Sequence, residues 1–510
     1  VTAPQRTTGV LLHATALPGT PACGTFGASA RAWISLLAQQ GVTVWQLLPL
    51  APTDGTGSPY SSPSGSALNP WFLDADDLVA EGVLAASDRG ALPDSSQPRL
   101  DSAIAAARAE AIGVALARGW SAQPPERQRA FAQWRRQQGH WLRDHCHFMV
   151  LRRLQRGAPW WEWPGPLAHR QRRALRHLDQ HHAEGLLAEA LIQWQLQQQW
   201  QRLQTQAHAQ GVQLVGDLPF YVAHDSADVW SHPGLFSLGL GGTLVEQSGV
   251  PPDYFSATGQ LWGTPVYRWW RHRVSGFQWW LARLERQLEL FDRLRLDHFR
   301  ALEAYWSVPG GDPTAEQGRW VPSPGEALLR RLLGRCRRRG RLLADGRLPL
   351  IAEDLGVITP PVEALRDQFF LPGMKILQFA FDGNDDNPYL PANLRGSRWV
   401  VYPGTHDNAT SRGWWEGLEG DARARVGAAV GAEVRSPGWQ LLELAMASEA
   451  ELVVAPLQDL LELGDEARFN SPGTVGSHNW SWRLERSIDS LVGPLKGYGE
   501  LAARLGRRGP

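Results

Sequence analysis

Two hydrophobic rhythms alternate along this chain, and the switch between them marks its parts. Thr7 to Pro18 (TTGVLLHATALP) is an apolar run into a turn and predicts a buried strand, Ala30 to Gln40 carries helical spacing, and Val42 to Pro49 (VTVWQLLP) predicts a second short strand. Strand, helix, strand is the signal of a parallel sheet. Pro52 to Phe72, rich in Pro, Gly and Ser around Tyr60, Asn69 and Trp71, predicts a loop where a barrel would place a βα connection. From about Leu73 to Gln210 long helices take over. Trp141, Phe148 and Leu151 share a face with Leu142, Cys146 and Met149 beside them, Leu187, Leu191 and Trp194 repeat the spacing, and Trp160, Trp161 and Trp163 precede Pro164 in a break. The glutamine-rich run Gln193 to Gln201 reads as a solvated helix face.

The strand rhythm returns at Val212 to Asp217, an apolar strand ending in an acid. A second insertion runs to about Trp280. Its proline- and glycine-flanked aromatics, Val250 to Phe255 and Gln260 to Gly263, predict a loop able to close over a ligand. Strands are then predicted at Leu294 to Asp297, Leu348 to Glu353, Met374 to Phe381, Trp399 to Pro403 and Leu452 to Pro456, which brings the total to eight. Eight such strands with helices between them predict an α/β fold of the (β/α)8 TIM barrel type, with a large helical insertion and further loop insertions around the active-site mouth. An open doubly wound sheet gives the same local pattern. The implied division is barrel in 1–72, helical insertion in 73–210, a barrel strand in 211–218, an insertion with a lid loop in 219–285 and the remaining barrel in 286–510.

Composition narrows the function classes. Of 510 residues 43% are hydrophobic, and Lys+Arg and Asp+Glu each number 51, so no charge bias favours nucleic acid or an anionic membrane as partner. Only Lys375 and Lys496 are lysines; arginine carries almost all the positive charge. Three scattered cysteines (Cys23, Cys146, Cys336) fit a reducing compartment and form neither a disulfide framework nor a zinc site. No apolar run approaches the roughly 18 residues of a membrane span. No signal peptide is evident, and the absent initial Met leaves room for a removed leader. The 25 tryptophans suit surfaces that stack against sugars or other flat ligands.

The candidate chemistry lies at strand ends. In Leu294-Arg295-Leu296-Asp297, alternation puts Arg295 and Asp297 on one face. A cation beside a carboxylate favours the ionised form that a nucleophile needs; the same pair is also an ordinary salt bridge. Asp217, Asp297, Glu353 and Asp407 all fall at or just past strand ends, where a barrel keeps its catalytic groups. Two carboxylates flanking a glycosidic bond are the minimum for its cleavage or transfer, and Glu353 is the natural acid/base partner of Asp297. Taken alone, Glu353-Asp354 equally suits a helix cap and His406-Asp407-Asn408 an Asx turn. His177 and His181 have the spacing of a helical metal pair without an acidic third ligand, Gly239 to Gly242 lacks the spacing and lysine of a phosphate loop, and Arg335 to Arg339 reads as a solvated helix face.

Together, GVLLHATALP (Gly9–Pro18), WQLLPLAP (Trp45–Pro52), SPYSSPSGSALNP (Ser58–Pro70), GDLPFYV (Gly216–Val222), Pro251–Phe255, RLDHFR (Arg295–Arg300), AEDLG (Ala352–Gly356), GTHDNAT (Gly404–Thr410) and Asn470–Trp482 resemble the 4-α-glucanotransferases of the amylomaltase, or disproportionating-enzyme, type (glycoside hydrolase family 77). The resemblance implies a retaining double displacement on α-1,4-glucans without cofactor or metal, with Asp297 as nucleophile, Glu353 as acid/base and Asp407 as transition-state stabiliser. It places Arg295, His406 and Asp217 at the central sugar, and Ser58, Tyr60, His298, Asp382 and Asn479 among glucan contacts. Tyr254, Phe255 and Trp262 match a lid loop and an aromatic platform. The departures, at Ala16 to Gly24 and at the tip of the helical insertion, bear on chain-length preference. The expected partners are a glucan donor and a glucose or maltodextrin acceptor, and the expected protein is a cytoplasmic monomer. An α-glucan hydrolase using the same residues is the alternative, and a glucan-binding protein on a decayed barrel is a third reading that the intact carboxylates oppose.

Overall fold

The computed structural model describes residues 6–252 and 256–507. Its strands in chain order are β1 (Thr7–Leu11), β2 (Val44–Gln46), β3 (Gln213–Leu218), β4 (Glu246–Val250), β5 (Gln260–Pro265), β6 (Arg293–Leu296), β7 (Ala304–Pro309), β8 (Arg319–Pro322), β9 (Leu350–Ala352), β10 (Gly373–Ile376), β11 (Trp399–Tyr402) and β12 (Leu452–Pro456). Eight of them form one parallel sheet in the order β10-β11-β12-β1-β2-β3-β6-β9. The two end strands meet where Ala352 N–H donates to the Pro372 carbonyl at 2.8 Å, so the sheet curls almost into a closed barrel. These are the eight strands read from the sequence, and the open-sheet alternative is set aside.

Burial on both faces explains why the strands read as continuous apolar runs. Val10, Trp45, Val215, Leu294, Ile351, Val401 and Val454 are all fully buried. Gly216 of β3 is required by a close approach, since a Cβ there would sit 2.2 Å from the Phe291 ring. The parallel register sets Asp217 beside Arg295 and Arg295 beside Ile351, so one layer at the barrel mouth receives an acid and a base from adjacent strands.

Between β2 and β3 lies a helical block whose main helices are Ser102–Gly119, Pro125–Gln137, Leu142–Leu154 and Ala183–Ala209. The 27-residue helix Ala183–Ala209 lies between the block and the barrel, touching the first barrel helix (Ala28–Gln39), β3, the other three main block helices and the short helix Arg172–His181. It therefore has little solvent face, and this corrects the reading of Gln193 to Gln201. Gln193, Gln195, Gln197 and Gln199 are buried. Gln193 brackets Leu68 (Oε1 from N–H and Nε2 to C=O, both 2.8 Å), and Gln199 brackets Asp74 in the same way at 2.9 Å. Gln197 accepts from Arg286 at 2.8 Å. Irregular buried backbone has no ladder partner, and a side-chain amide, one donor and one acceptor, is the group that supplies both.

A measurable cost follows. Gln199→Ala leaves two buried backbone groups unpaired at about 1–3 kcal/mol each. It should lower the thermal midpoint by several degrees, whereas Gln201→Ala, on an exposed neighbour, should leave it within about a degree.

A four-stranded antiparallel sheet, β5-β4-β7-β8, stands beside the barrel mouth. Gln260 to Gly263, expected as loop, is instead the start of β5, and pairs with β4 through a register shift between Gln247 and Gly249. Alternation in that stretch is masked by Trp262-Gly263, with Gly263 at φ +66°. Arg335 to Arg339 closes the amphipathic helix Gly325–Arg338 and points mainly outward, as read, with Arg335 paired to Glu285 at 2.9 Å. All three cysteines are free and buried. No helix among the described residues is long and apolar enough to cross a membrane.

Candidate active site

Eight of the residues singled out in the sequence, Tyr60, Asp217, Arg295, Asp297, His298, Glu353, His406 and Asp407, are linked to one another at one end of the barrel. β6 ends at Leu296, and Asp297 N–H still reaches back to the β3 carbonyl of Leu218 at 3.0 Å. The next residue, His298, takes left-handed backbone (φ +52°, ψ +48°), an uncommon conformation for a residue with a side chain. That turn aims His298 N–H at Glu353 Oε2 (2.6 Å), while Leu355 N–H takes Oε1 at 3.1 Å. Glu353 is thus tied to the residue next to Asp297.

Arg295 anchors the other side. Its Nη1 contacts both oxygens of Asp217 (2.9 and 2.8 Å) and Oδ1 of Asp297 (2.9 Å). Burial alone would weaken this cation. Asp217 and Asp297 outweigh that effect and hold its pKa well above the ordinary arginine value. The alternation argument was right about the pairing, but Arg295 serves two carboxylates.

A relay continues from Asp217. Tyr60 Oη donates to Asp217 Oδ2 at 2.7 Å and lies 2.9 Å from His406 Nε2. With its own proton committed to Asp217, the tyrosine oxygen must accept, so Nε2 of His406 carries the hydrogen. The two rings stack at 5.4 Å and 8°, with Trp480 tilted against both. His406 Nε2 also stands 3.4 Å from Asp407 Oδ2. Asn408 ties the turn together from its far end, its Oδ1 accepting from Thr405 N–H and Oγ1, three residues earlier, at 2.9 and 2.8 Å.

Glu353 and Asp354 stand in different surroundings. Asp354 is buried scaffold, bonded to Arg366 at 2.5 Å and to Met374 N–H at 2.7 Å. Neither acid caps the helix Pro360–Gln368, whose N-cap is Thr359. Glu353 is half-buried in the cleft. Desolvation pushes its pKa up to about 8; Arg295 pulls it down, Asp297 pushes it further up, and the two backbone N–H groups pull it down. His298 is neutral at pH 7, its pKa lowered to about 4 by burial, and its Nε2 has no hydrogen-bond partner among the described residues.

Trp262, 37% exposed on β5, stands edge-on to the His298 ring at 4.9 Å and so flanks the cleft. Ser58 Oγ accepts from Tyr60 N–H at 3.2 Å and shapes the Tyr60 turn. The rest of that loop is pinned by several elements. Gly65 N–H donates to Asp228 at 2.8 Å, Gln287 and Arg286 donate to the carbonyls of Gly65 and Ser66 at 3.0 and 3.1 Å, and Asn69 N–H reaches Leu50 at 2.7 Å.

Two of the expected glucan contacts make their hydrogen bonds within their own loops. Asp382 sits on an exposed turn, accepting from Asn384 N–H at 2.9 Å. Asn479 is buried and has its amide engaged in its own loop, from Ser471 N–H (3.0 Å) and to Thr474 O and Oγ1 (3.0 and 3.1 Å). Tyr254 and Phe255 lie outside the described residues. Sequence reasoning overlooked Asn470, whose Nδ2 donates to Asp407 Oδ1 at 2.7 Å. Asn470 opens a segment noted for its resemblance, but nothing local distinguishes it from an ordinary turn asparagine. Among the described residues no cluster of His, Cys, Asp and Glu is arranged to hold a metal ion.

Comparison with known proteins agrees with this geometry. The family profile described as 4-alpha-glucanotransferase matches residues 12–489. The 4-alpha-glucanotransferase of Thermus thermophilus is 44% identical over 489 residues, covering 94% of this chain and 95% of that one. That of Synechocystis is 42% identical over 98% of both. The amylomaltase from Streptococcus agalactiae, solved in complex with acarbose, superposes with a TM-score of 0.92 at 31% identity, over 99% of this chain and 100% of that one. The chain therefore belongs to the 4-alpha-glucanotransferase family and is an enzyme of that type, acting on α-glucans.

Proposed function

We propose that this enzyme moves segments of α-1,4-glucan onto the 4-hydroxyl of glucose or another glucan by two successive displacements at one anomeric carbon. Asp297 attacks C1 of the donor, and the C1–O4 bond to the leaving sugar breaks. Glu353 gives its proton to that oxygen, leaving a covalent glycosyl ester on Asp297. An acceptor 4-hydroxyl then loses its proton to Glu353 and attacks C1, the ester bond breaks, and the α configuration is restored. Arg295, Asp217, Tyr60 and His406 hold the central sugar, and Asp407 faces the positive charge that grows on its ring. Trp262 and His298 receive the neighbouring sugar on the Glu353 side, and Ser58 acts through Tyr60. The amylomaltase from Streptococcus agalactiae, solved in complex with acarbose, supports a saccharide as the ligand of this enzyme.

The observation that carries this reading is the way neighbouring residues hold the two carboxylates: Arg295 holds Asp297 at 2.9 Å, and the N–H of the next residue, His298, holds Glu353 at 2.6 Å. Asp297 helps to raise the Glu353 pKa towards 8, so Glu353 holds a proton at neutral pH when an acid is needed. Ester formation removes the Asp297 charge. The Glu353 pKa then falls, and the same group becomes a base for the second step.

Transfer must outcompete water. At roughly 55 M water against about 1 mM acceptor, sugar has to be favoured by ~6–7 kcal/mol in the second step, at ~1.4 kcal/mol per decade. The aromatic walls at Tyr60 and Trp262 favour a bound sugar over bulk water. Incubation with maltotriose tests the reading. Glucose together with a ladder of maltodextrins longer than the substrate is expected. Maltose and glucose alone would mean that water is the acceptor and that the enzyme works as a hydrolase.

A further inference from the structure

The loop bearing His406 and Asp407 is fastened from behind by residues some sixty positions later. Asn470 N–H donates to the His406 carbonyl at 3.0 Å and Arg468 Nη2 to the Asp407 carbonyl at 2.8 Å, while Arg468 Nε donates to the Asn470 carbonyl at 2.8 Å. These bonds hold main chain. The bond from Asn470 Nδ2 to Asp407 Oδ1 (2.7 Å) is different, because it fixes the orientation of a carboxylate.

We propose that Asn470 is a positioning residue for the transfer reaction, setting the plane of the Asp407 carboxylate. The carboxyl torsion of an aspartate is broad and roughly two-fold, so an unheld carboxylate turns freely. The Asp407 side chain is 42% exposed, and without a fixed donor it would turn towards water. With Oδ1 held, Oδ2 stays beside His406 Nε2 at 3.4 Å, the hydrogen that the Tyr60 relay also uses. The acceptor side of Asp407 is thereby tied to the groups that hold the sugar. A neutral donor suits this task. Lysine or arginine would neutralise the charge that the oxocarbenium-like state requires, and a carboxylate would repel it.

This inference rests on the role given above to Asp407, and the two are tested separately. Asn470→Ala removes one hydrogen bond to a charged group, so kcat should fall about 10–100-fold with KM little changed. In an Asp407→Ala background the same substitution should cost less than about twofold, because the residue acts through Asp407. Additive losses would overturn the proposal. An Asp407→Ala enzyme with parental kcat would instead refute the role of Asp407 itself, and the inference with it.

Asn470→Asp, nearly isosteric, guards against misfolding and adds a pH signature. Two carboxyls in hydrogen-bond contact share a proton, so at low pH the introduced group donates to Asp407 and stands in for the amide. A carboxyl beside a carboxylate keeps its proton to higher pH than a lone one, and the proton is lost as pH rises from acidic to alkaline. The activity of this variant relative to the parent should fall across that range, while Asn470→Ala keeps a constant ratio. The His406 ring and the Arg468 guanidinium, which contact this pair, are common to both enzymes and cancel in the ratio. A flat ratio for Asn470→Asp would overturn the proposal.

Discussion

Asp297→Ala is expected to lower maltotriose turnover by about 10⁴-fold or more, the scale found when a nucleophile is removed from a preorganised site. The fold should survive the change. Arg295, which would otherwise lose its counter-ion, remains paired with both oxygens of Asp217 at 2.9 and 2.8 Å, so no buried cation is left alone. Thermal unfolding near the parental midpoint, together with lost turnover, would separate chemistry from stability. The product formed with an added nucleophile carries more information. The excised side chain leaves room for azide beneath C1, and with a glycosyl fluoride donor azide should restore turnover and give a β-glycosyl azide. An α-glycosyl azide would place the missing group elsewhere and sink the assignment of Asp297.

Glu353→Gln should lower kcat with maltotriose about 10²–10⁴-fold, the usual contribution of general acid–base catalysis. Its effect should depend on the leaving group. A glycosyl fluoride needs no proton to depart, so the first step should survive and the second stall, and mass spectrometry should find the protein heavier by one glycosyl unit. The pH dependence supplies an independent check. In the parent enzyme Glu353 must be protonated for the first step, and its pKa is pushed up to about 8 by desolvation. kcat/KM should therefore fall as pH rises through about 8, and that limb should vanish in the glutamine variant. If the limb persists unchanged, another group is the acid.

The barrel was legible because its strands are short, buried and apolar, with acids standing at or just past the mouth ends of four of them. Arg295 and Asp297 were legible for the same reason, since two-residue alternation fixes a shared face whatever the fold. The role of Arg295 as a hub for two carboxylates depends on which strand lies beside β6. β3 is nearly eighty residues earlier in sequence, and no local pattern reports that neighbour. The glutamines of the helix Ala183–Ala209 were misread because helical periodicity records where apolar side chains fall and is blind to a helix whose polar side is also enclosed. Gln193 and Gln199 look like solvated residues until Leu68 and Asp74 come to meet them. Asn470 escaped notice because its partner, Asp407, is brought to it by tertiary structure alone. In each case the missing information was a long-range pairing between polar groups, which hydrophobic spacing does not encode.

The pinned loop around Tyr60 bears on the calorimetry of glucan binding. Ordering a free loop costs about 1–2 kcal/mol per residue in backbone entropy, enough to cancel a sugar-stacking contact several times over. Here the segment from Gly65 to Asn69 is held by Asp228, Gln287, Arg286, Gln193 and Leu50, and Tyr60 already has its hydroxyl placed between Asp217 and His406. That entropy is lost during folding and not charged again to the ligand. Sugar docking against Tyr60 should therefore release heat with a small entropic penalty, and affinity on this wall should vary with temperature chiefly through the enthalpy of its hydroxyl contacts.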